Sequence, residues 1–397
     1  MLRLSSRRAA VAVSAGAAVL GLGAAALPAQ AAAIPGWRVN TTVAVRGKSV
    51  LLTGVAAVTA RDAWSAGVAV SAKGAVTPLL RHWTGRTWAS IRLPAKVASA
   101  WGRSEPFAGL VGATSATNVW VFGALESAAY LRLNGSRWSV GHLPGNNPSA
   151  GKLVEISAVQ VLGRSDVWAF GSTENLTSEQ PTETPYAAHF NGTRWTVTPV
   201  PGNSGIVDAS AASADSIWAV AGTPASTLDF FGTSSGAQAV LHWGPQGGWQ
   251  QISQPVLPAG THLSGVVFQA GKVVVGGSEP NGRKGRSPLL VTWNGTAWSK
   301  PSVAGASPTK WDLAGLAADG RGGFWVDGAA QSGNGSGKIW HVTGGKWSTV
   351  QPNFGKHPWM LFHIAAVPHS HSVWGAGATE AGKLTTGLMA LAGPAPR

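Results

Sequence analysis

Asp166-Val-Trp168-Ala-Phe-Gly171, followed by His189-Phe190-Asn191-Gly192-Thr-Arg-Trp195, is the stretch that decides the fold. Both halves recur along the chain. The first half, a Trp with a Gly three places on, returns as Asp62-Ala-Trp64-Ser-Ala-Gly67 and Asn118-Val-Trp120-Val-Phe-Gly123. It returns again at Trp218, in a degenerate copy at Val274 with Gly277, at Trp325 with Gly328 and at Trp374 with Gly377. The second half, a Gly turn leading into a Trp, also occurs at Gly36-Trp37, Gly85 with Trp88 and Gly135 with Trp138. Further copies are Gly247 with Trp249, Gly295 with Trp298 and Gly344 with Trp347. Seven copies of each form, about fifty residues apart and with β character throughout, predict a β-propeller.

Each repeat reads as four strands. Strand one is an apolar run: Leu51 to Val58, Leu110 to Ala113, Val154 to Val159, Ile206 to Ala209, Leu263 to Phe268, Leu313 to Ala317 and Leu361 to Val367. Strand two carries the Trp-x-x-Gly form. Strand three carries His82-Trp83, Arg132-Leu133, His189-Phe190, His242-Trp243, Thr292-Trp293, Ile339-Trp340-His341 and, weakly, Leu388 to Leu391. Asn-Gly turns at 134–135, 191–192 and 294–295 are strong hairpin signals. Strand four starts at the second Trp and ends near Pro94, Pro144, Pro201, Pro258 or Pro352, as an outermost strand tolerates. The last repeat stops after its third strand, whereas Gly36-Trp37-Arg-Val-Asn-Thr-Thr is a strand four with no repeat before it. The expectation is an all-β, seven-bladed propeller of four-stranded antiparallel blades, closed by the N-terminal strand completing the C-terminal blade.

Residues 1–31 read as a secretory signal peptide. Arg3, Arg7 and Arg8 form a basic start, Ala9 to Leu27 an apolar stretch, and Ala29-Gln30-Ala31 a small-residue cleavage site before Ala32. Residues 32–397 form the propeller. Sec and twin-arginine export both remain open, and no later stretch is apolar enough to span a bilayer. The chain has no cysteine, so core and topology must hold it together without disulfides. It carries 30 Lys and Arg against 16 Asp and Glu, a net charge of +14. Three of the arginines lie in the leader, which leaves +11 on the mature chain. That charge suits an anionic wall polymer or simply aids solubility. The basic residues are scattered and no nucleic-acid module is present, so nucleic acid is not the expected partner.

A residue repeated at one place in nearly every blade reads as packing. Trp64, Trp88, Trp120, Trp138, Trp168, Trp195, Trp218, Trp298, Trp325, Trp347 and Trp374 are assigned to the blades on this ground, with indole N–H groups expected to find partners at blade edges. His82, His189, His242 and His341 are assigned likewise, because they lie in different blades and cannot converge on one metal. At the second Trp the sequence resembles the Asp-box hairpin of sialidase-like propellers, with Gly85, Gly135, Gly192, Gly295 and Gly344 three places before the Trp. Only Thr87 supplies the motif Thr, and Trp83, Leu133, Phe190, Trp293 and Val342 stand where the motif has Asp. The whole pattern resembles secreted Trp-rich propeller proteins of actinobacteria, which implies fold and export and almost nothing about activity.

Function is sought where the chain departs from its own repeat. Trp101, Trp311 and Trp359 fall in blade-to-blade connections, Phe230 and Phe231 in the blade-four loop, and Tyr186 at the end of the blade-three loop. Lys96, Arg103, Lys310 and Lys356 lie in the same connections. Glu174, Glu179 and Glu183 mark one loop as acidic, and Arg283, Lys284 and Arg286 mark another as basic. Aromatics with lysines on one face suit a polysaccharide or wall glycopolymer, or else an extracellular protein. A sialidase-like glycoside hydrolase is the competing class. It would need placed carboxylates and a Tyr nucleophile, and Tyr130, Tyr186, Glu105, Asp229 and Asp312 show no spacing that ties them together. No Gly-x-Ser-x-Gly elbow, zinc-type cluster or phosphate loop occurs, and His363, His369 and His371 straddle a predicted turn. The reading is a secreted, monomeric, non-catalytic binding propeller that needs no cofactor or metal, extracellular or held at the cell wall.

Overall fold

The computed structural model describes residues 36–394, except 105–108, 124–127, 178–181, 223–237, 283–284, 300, 306–310 and 331–336. Residues 1–31, read from the sequence as a leader, therefore lie outside the described residues. Within them the chain is all-β, apart from one α-helix and a 3₁₀ turn.

The strand β1 (Arg38–Val43) comes first, and the blades follow in chain order. Blade 1 is β2 (Lys48–Thr59), β3 (Asp62–Ser71), β4 (Val76–Trp83) and β5 (Trp88–Ser90). After helix α1 (Ala95–Ser104), blade 2 is β6 (Leu110–Ser115), β7 (Asn118–Phe122), β8 (Ala129–Asn134) and β9 (Arg137–His142). Blade 3 is β10 (Lys152–Val161), β11 (Val167–Asn175), β12 (Thr182–Phe190) and β13 (Trp195–Val197). Blade 4 is β14 (Ile206–Ser213), β15 (Ser216–Ala221), β16 (Ala239–Gly244) and β17 (Gly248–Ile252). Blade 5 is β18 (His262–Gln269), β19 (Lys272–Asn281), β20 (Gly285–Trp293) and β21 (Ser302–Val303). Blade 6 is β22 (Trp311–Ala318), β23 (Phe324–Ala330), β24 (Gly337–Thr343) and β25 (Lys346–Val350). Blade 7 is β26 (Trp359–Ala366), β27 (Val373–Ala381) and β28 (Leu384–Ala392), completed by β1. Every sheet has four strands in antiparallel order, so the chain is a seven-bladed β-propeller.

Closure is strand to strand. β1 pairs with β28 from Arg38 opposite Leu391 to Val43 opposite Gly387. Arg38 Nη1 donates to Gly393 O at 2.6 Å, and the buried Trp37 meets Trp325 edge to face at 5.8 Å. One blade thus joins two distant parts of the chain through a backbone ladder and a shared core.

The repeat motif has a mechanical explanation. In six blades the pairing of the first two strands slips by one residue near the motif glycine position, as between Ile156 and Ala158, whereas blade 2 slips near its hairpin, between Ala113 and Ser115. In the six, the bulge drives a first-strand carbonyl against strand two at that position. A Cβ on Gly171 would sit 1.8 Å from Glu155 O, and one on Gly377 would sit 2.0 Å from Met360 O. Three places earlier the motif Trp wedges between its own blade and the next. Trp168 packs with Ile217 and Leu241 of blade 4, and Trp64 with Val119 and Leu133 of blade 2.

The second-form tryptophans sit further out. Trp138, Trp195, Trp298 and Trp347 are half-buried, whereas Trp88 and Trp249 are buried. Indole partners were expected throughout. They are found at Trp249 (Thr198 Oγ1, 3.2 Å), Trp298 (Ser253 O, 2.5 Å) and Trp347 (Ser302 Oγ, 2.9 Å). The deeper Trp64, Trp120, Trp168, Trp325 and Trp374 have none among the described residues, and neither do Trp88 and Trp195.

Two site expectations are corrected by burial. Trp101 is not in an open connection. It lies in α1, whose Val97 and Trp101, one helical turn apart, pack on the core between blades 1 and 2, and the indole is fully buried. Tyr186 is also buried, because it stands in β12 directly opposite Gly171, a position that repeats in every blade. Its hydroxyl donates to Pro144 O at 2.8 Å, and burial pushes its pKa well up. Neither ring reaches a surface where a ligand could stack.

Candidate ligand-binding face

The first strands line a central channel of about 420 Å³, to which all seven blades contribute. Its wall is built mainly from small and apolar residues, with polar side chains that clamp blade 3 to 4, 4 to 5, 5 to 6 and 7 to 1. Ser157 Oγ donates to Ile206 O, and the equivalent Ser264 Oγ donates to Leu313 O at 3.0 Å. Asp208 Oδ2 accepts the Val266 amide at 2.8 Å, and its Oδ1 accepts Ala209 N. Burial pushes the Asp208 carboxyl up to about 7, against the pull of those two amides. At the closure, His363 Nδ1 accepts Val55 N at 3.4 Å, and burial holds the imidazole below its ordinary pKa and so neutral. Both titratable groups of this wall are thus committed to backbone amides of a neighbouring blade.

The remaining aromatics singled out in the sequence stand on either side of blade 6, Trp311 at the blade 5–6 seam and Trp359 at the blade 6–7 seam, at the end where the first strands begin. Trp311 opens β22 and Trp359 opens β26, and both are partly exposed. Lys338, in β24, brings its Nζ to 5.5 Å from the Trp311 ring and 5.0 Å from the buried Trp340. Trp340 meets Trp311 edge to face at 6.0 Å. Trp359 lies on Gly337, where a Cβ would come 2.3 Å from its ring, and Phe354 closes its other side edge-on at 4.9 Å. The two rings therefore flank the Gly337-Lys338 dipeptide. Lys356 is exposed in the connection before Trp359. Phe230, Phe231, Lys310 and the side chain of Arg103 lie outside the described residues.

Beside Trp311 the blade 5–6 seam carries an ion pair. Arg286 Nε donates to Asp312 Oδ1 at 2.9 Å, and its Nη2 donates to Ser278 O at 2.7 Å and Gly260 O at 3.2 Å. The sequence places Arg286 in a basic loop, but it stands in β20, paired with β19, and is buried. His262 beside it is held below its ordinary pKa by burial and by the Arg286 charge, with Asp312 opposing. The acidic loop is likewise strand: Glu174 on β11 faces Glu183 on β12. Glu183 is pushed up by burial and by Glu174, while bonds from Ser172 and Gly205 N pull the other way. Glu179 lies outside the described residues.

Sequence reasoning missed Lys338. The signal was available once third strands are aligned on the motif glycine. Leu79, Tyr186, Leu289 and Leu388 face Gly67, Gly171, Gly277 and Gly377, and Lys338 faces Gly328.

No protein-family model and no curated protein matches the sequence. Solved structures do. A structure of YCF48 bound to a D1 peptide matches at 14% identity and a TM-score of 0.53, over 91% of this chain and 99% of that one. A puromycin-hydrolyzing peptidase of Mycobacterium tuberculosis matches at 12% identity and a TM-score of 0.54, over 83% of this chain and 49% of its own. A lectin of Aleuria aurantia, solved with α-methyl-L-fucoside, matches at 13% identity and a TM-score of 0.41, over 81% of this chain and 100% of that one. At these identities the likeness is one of fold.

Proposed function

We propose that this chain is an exported, non-catalytic propeller that binds a glycan, neutral or anionic, across the rim of blade 6. The observation that carries the reading is the pair of partly exposed rings, Trp311 and Trp359, on either side of Lys338. Indole faces offer rigid apolar area to the C–H face of a sugar ring. A lysine between them adds attraction for carboxylate or phosphate substituents, and salt weakens that attraction. The mature net charge of +11 and the leader composition support a role outside the cell, at an anionic wall.

The test is binding of the exported protein to bacterial wall material and to a glycan array. A Trp311→Ala, Trp359→Ala double variant with unchanged circular dichroism should bind about tenfold more weakly, the effect of roughly 1.4 kcal/mol of lost stacking. Absence of wild-type binding, or equal binding by the folded double variant, would overturn the reading. Mass spectrometry of the exported chain should find its N-terminus at Ala32 or within a few residues. A membrane-bound chain that keeps Met1 would remove the export half of the proposal.

A further inference from the structure

The wedge tryptophan is missing from one blade. Trp64, Trp120, Trp168, Trp218, Trp325 and Trp374 fill six of the seven seams, and Val274 stands at the seventh, between blades 5 and 6. Its cross-strand partner has changed with it. Trp64, Trp168, Trp218 and Trp325 lie opposite His82, His189, His242 and His341, and their rings sit 4.3 to 4.5 Å apart. Val274 lies opposite Thr292, and Lys272 stands two places before it, where Asp62 and Asp166 stand in blades 1 and 3. Blades 2 and 7 also lack the His, with Arg132 and Leu391 opposite Trp120 and Trp374, but only blade 5 lacks the wedge itself.

The space is not closed by collapse. A cavity of about 480 Å³ opens at this seam, floored by Val274, Leu290 and Val342, walled by Phe324, and rimmed by Thr292 and Lys272. Phe324 and Val342 are the blade 6 counterparts of blade 4's Ile217 and Trp243, which pack on Trp168 of blade 3. Strand closure sets the spacing of all seven blades, so one seam cannot narrow without straining the others. Trp347 Nε1 also donates to Ser302 Oγ at 2.9 Å, and Ser302 Oγ donates to Gly345 O at 2.7 Å, tying blade 6 to blade 5 at its full separation.

We propose that this cavity is a binding site for a planar aromatic ring of indole size. At six equivalent seams the blade surfaces enclose an indole, and here the same surfaces enclose none. An apolar cavity of about 150 Å³ is enough to take up benzene from water, and this one is larger and open to solvent past Lys272. The site lies at the opposite end of the strands from Trp311 and Trp359, so it stands or falls independently of the glycan rim.

Indole is the probe. Titration followed by methyl NMR on the wild-type protein should give saturable one-to-one binding with a Kd of about 0.1–1 mM. The perturbed methyls should be those of Val274, Leu290 and Val342, with none at the blade 6 rim beside Trp311 and Trp359. Val274→Trp should fill the cavity from within, abolish binding and raise Tm by several degrees. If Val274→Trp does not fold, Val274→Phe carries the same expectation. No saturable wild-type binding overturns the proposal. So do shifts confined to other seams, or a folded Val274→Trp that binds indole as the wild type does.

Discussion

The Trp168 indole lies flat on the His189 imidazole, with centroids 4.3 Å apart and planes 18° from parallel. His189 Nε2 donates in turn to Asp166 Oδ1 at 2.9 Å. The same stack recurs as Trp64 on His82, held by Asp62, and as Trp325 on His341, held by Asp319. These three blades thus brace the wedge from within as well as from the next blade.

Truncating the wedge should be costly. Trp168→Ala is expected to lose about 3–5 kcal/mol in urea unfolding, the usual range for a buried aromatic. Trp101→Ala should lose a comparable amount. As a residue outside the repeat it would be expected to cost much less, but α1 buries it fully. A loss under about 1 kcal/mol at Trp101 would contradict the packing of α1.

Removing residues 36–43 should leave β28 with an unpaired edge and strip Trp37 from the blade 6–7 core. We expect a fall in Tm of tens of degrees or aggregation on expression. A Lys73→Ala change in a short exposed hairpin should leave Tm unaltered. A truncated chain that melts where the full chain does would show that the ring does not depend on this strand.

Asp327 sits at a buried position that Ala66 and Ala376 occupy in blades 1 and 7, and its Oδ1 has no partner among the described residues. Burial raises its carboxyl well above the ordinary value. The folded protein keeps this proton where the unfolded chain has released it. Its contribution is fully present below about pH 4 and is lost as pH rises toward the folded value. Asp327→Ala should therefore gain stability over wild type at pH 8 and much less at pH 4. Asp208 acts with the same sign in both proteins, so the slope should shrink rather than vanish. An equal effect at both pH values would mean that Asp327 is ionised in the fold.

Lys338→Met keeps an unbranched stem over Trp311 and Trp340 and removes the charge. Binding to anionic wall polymer should weaken and lose most of its salt dependence, while Tm stays within a few degrees. Unchanged salt dependence would place the attraction elsewhere on the basic surface.

Strand order, blade number and closure were readable because each rests on local pattern. Trp168, Gly171 and the Asn191-Gly192 turn mark strand ends by residue type, and the counts at the two ends of the ring match. The candidate site was only half readable. Trp311 and Trp359 stood out as aromatics outside the repeat. So did Trp101 and Tyr186, and nothing local separates an indole on a rim from one under a helix. Lys338 escaped because its position becomes unusual only after the third strands are aligned.

The sequence by itself determined the ring, since periodic apolar residues and obligatory turns specify strands and their neighbours wherever they occur. It determined too that one wedge is a valine. Only the tertiary structure decided what these facts mean in space. It placed Trp311, Lys338 and Trp359 together across two blades, buried Trp101 and Tyr186, and left the Val274 seam open. The physical reason is that exposure and cavity volume are set by surfaces from adjacent blades, whose spacing the closed ring imposes on every seam alike.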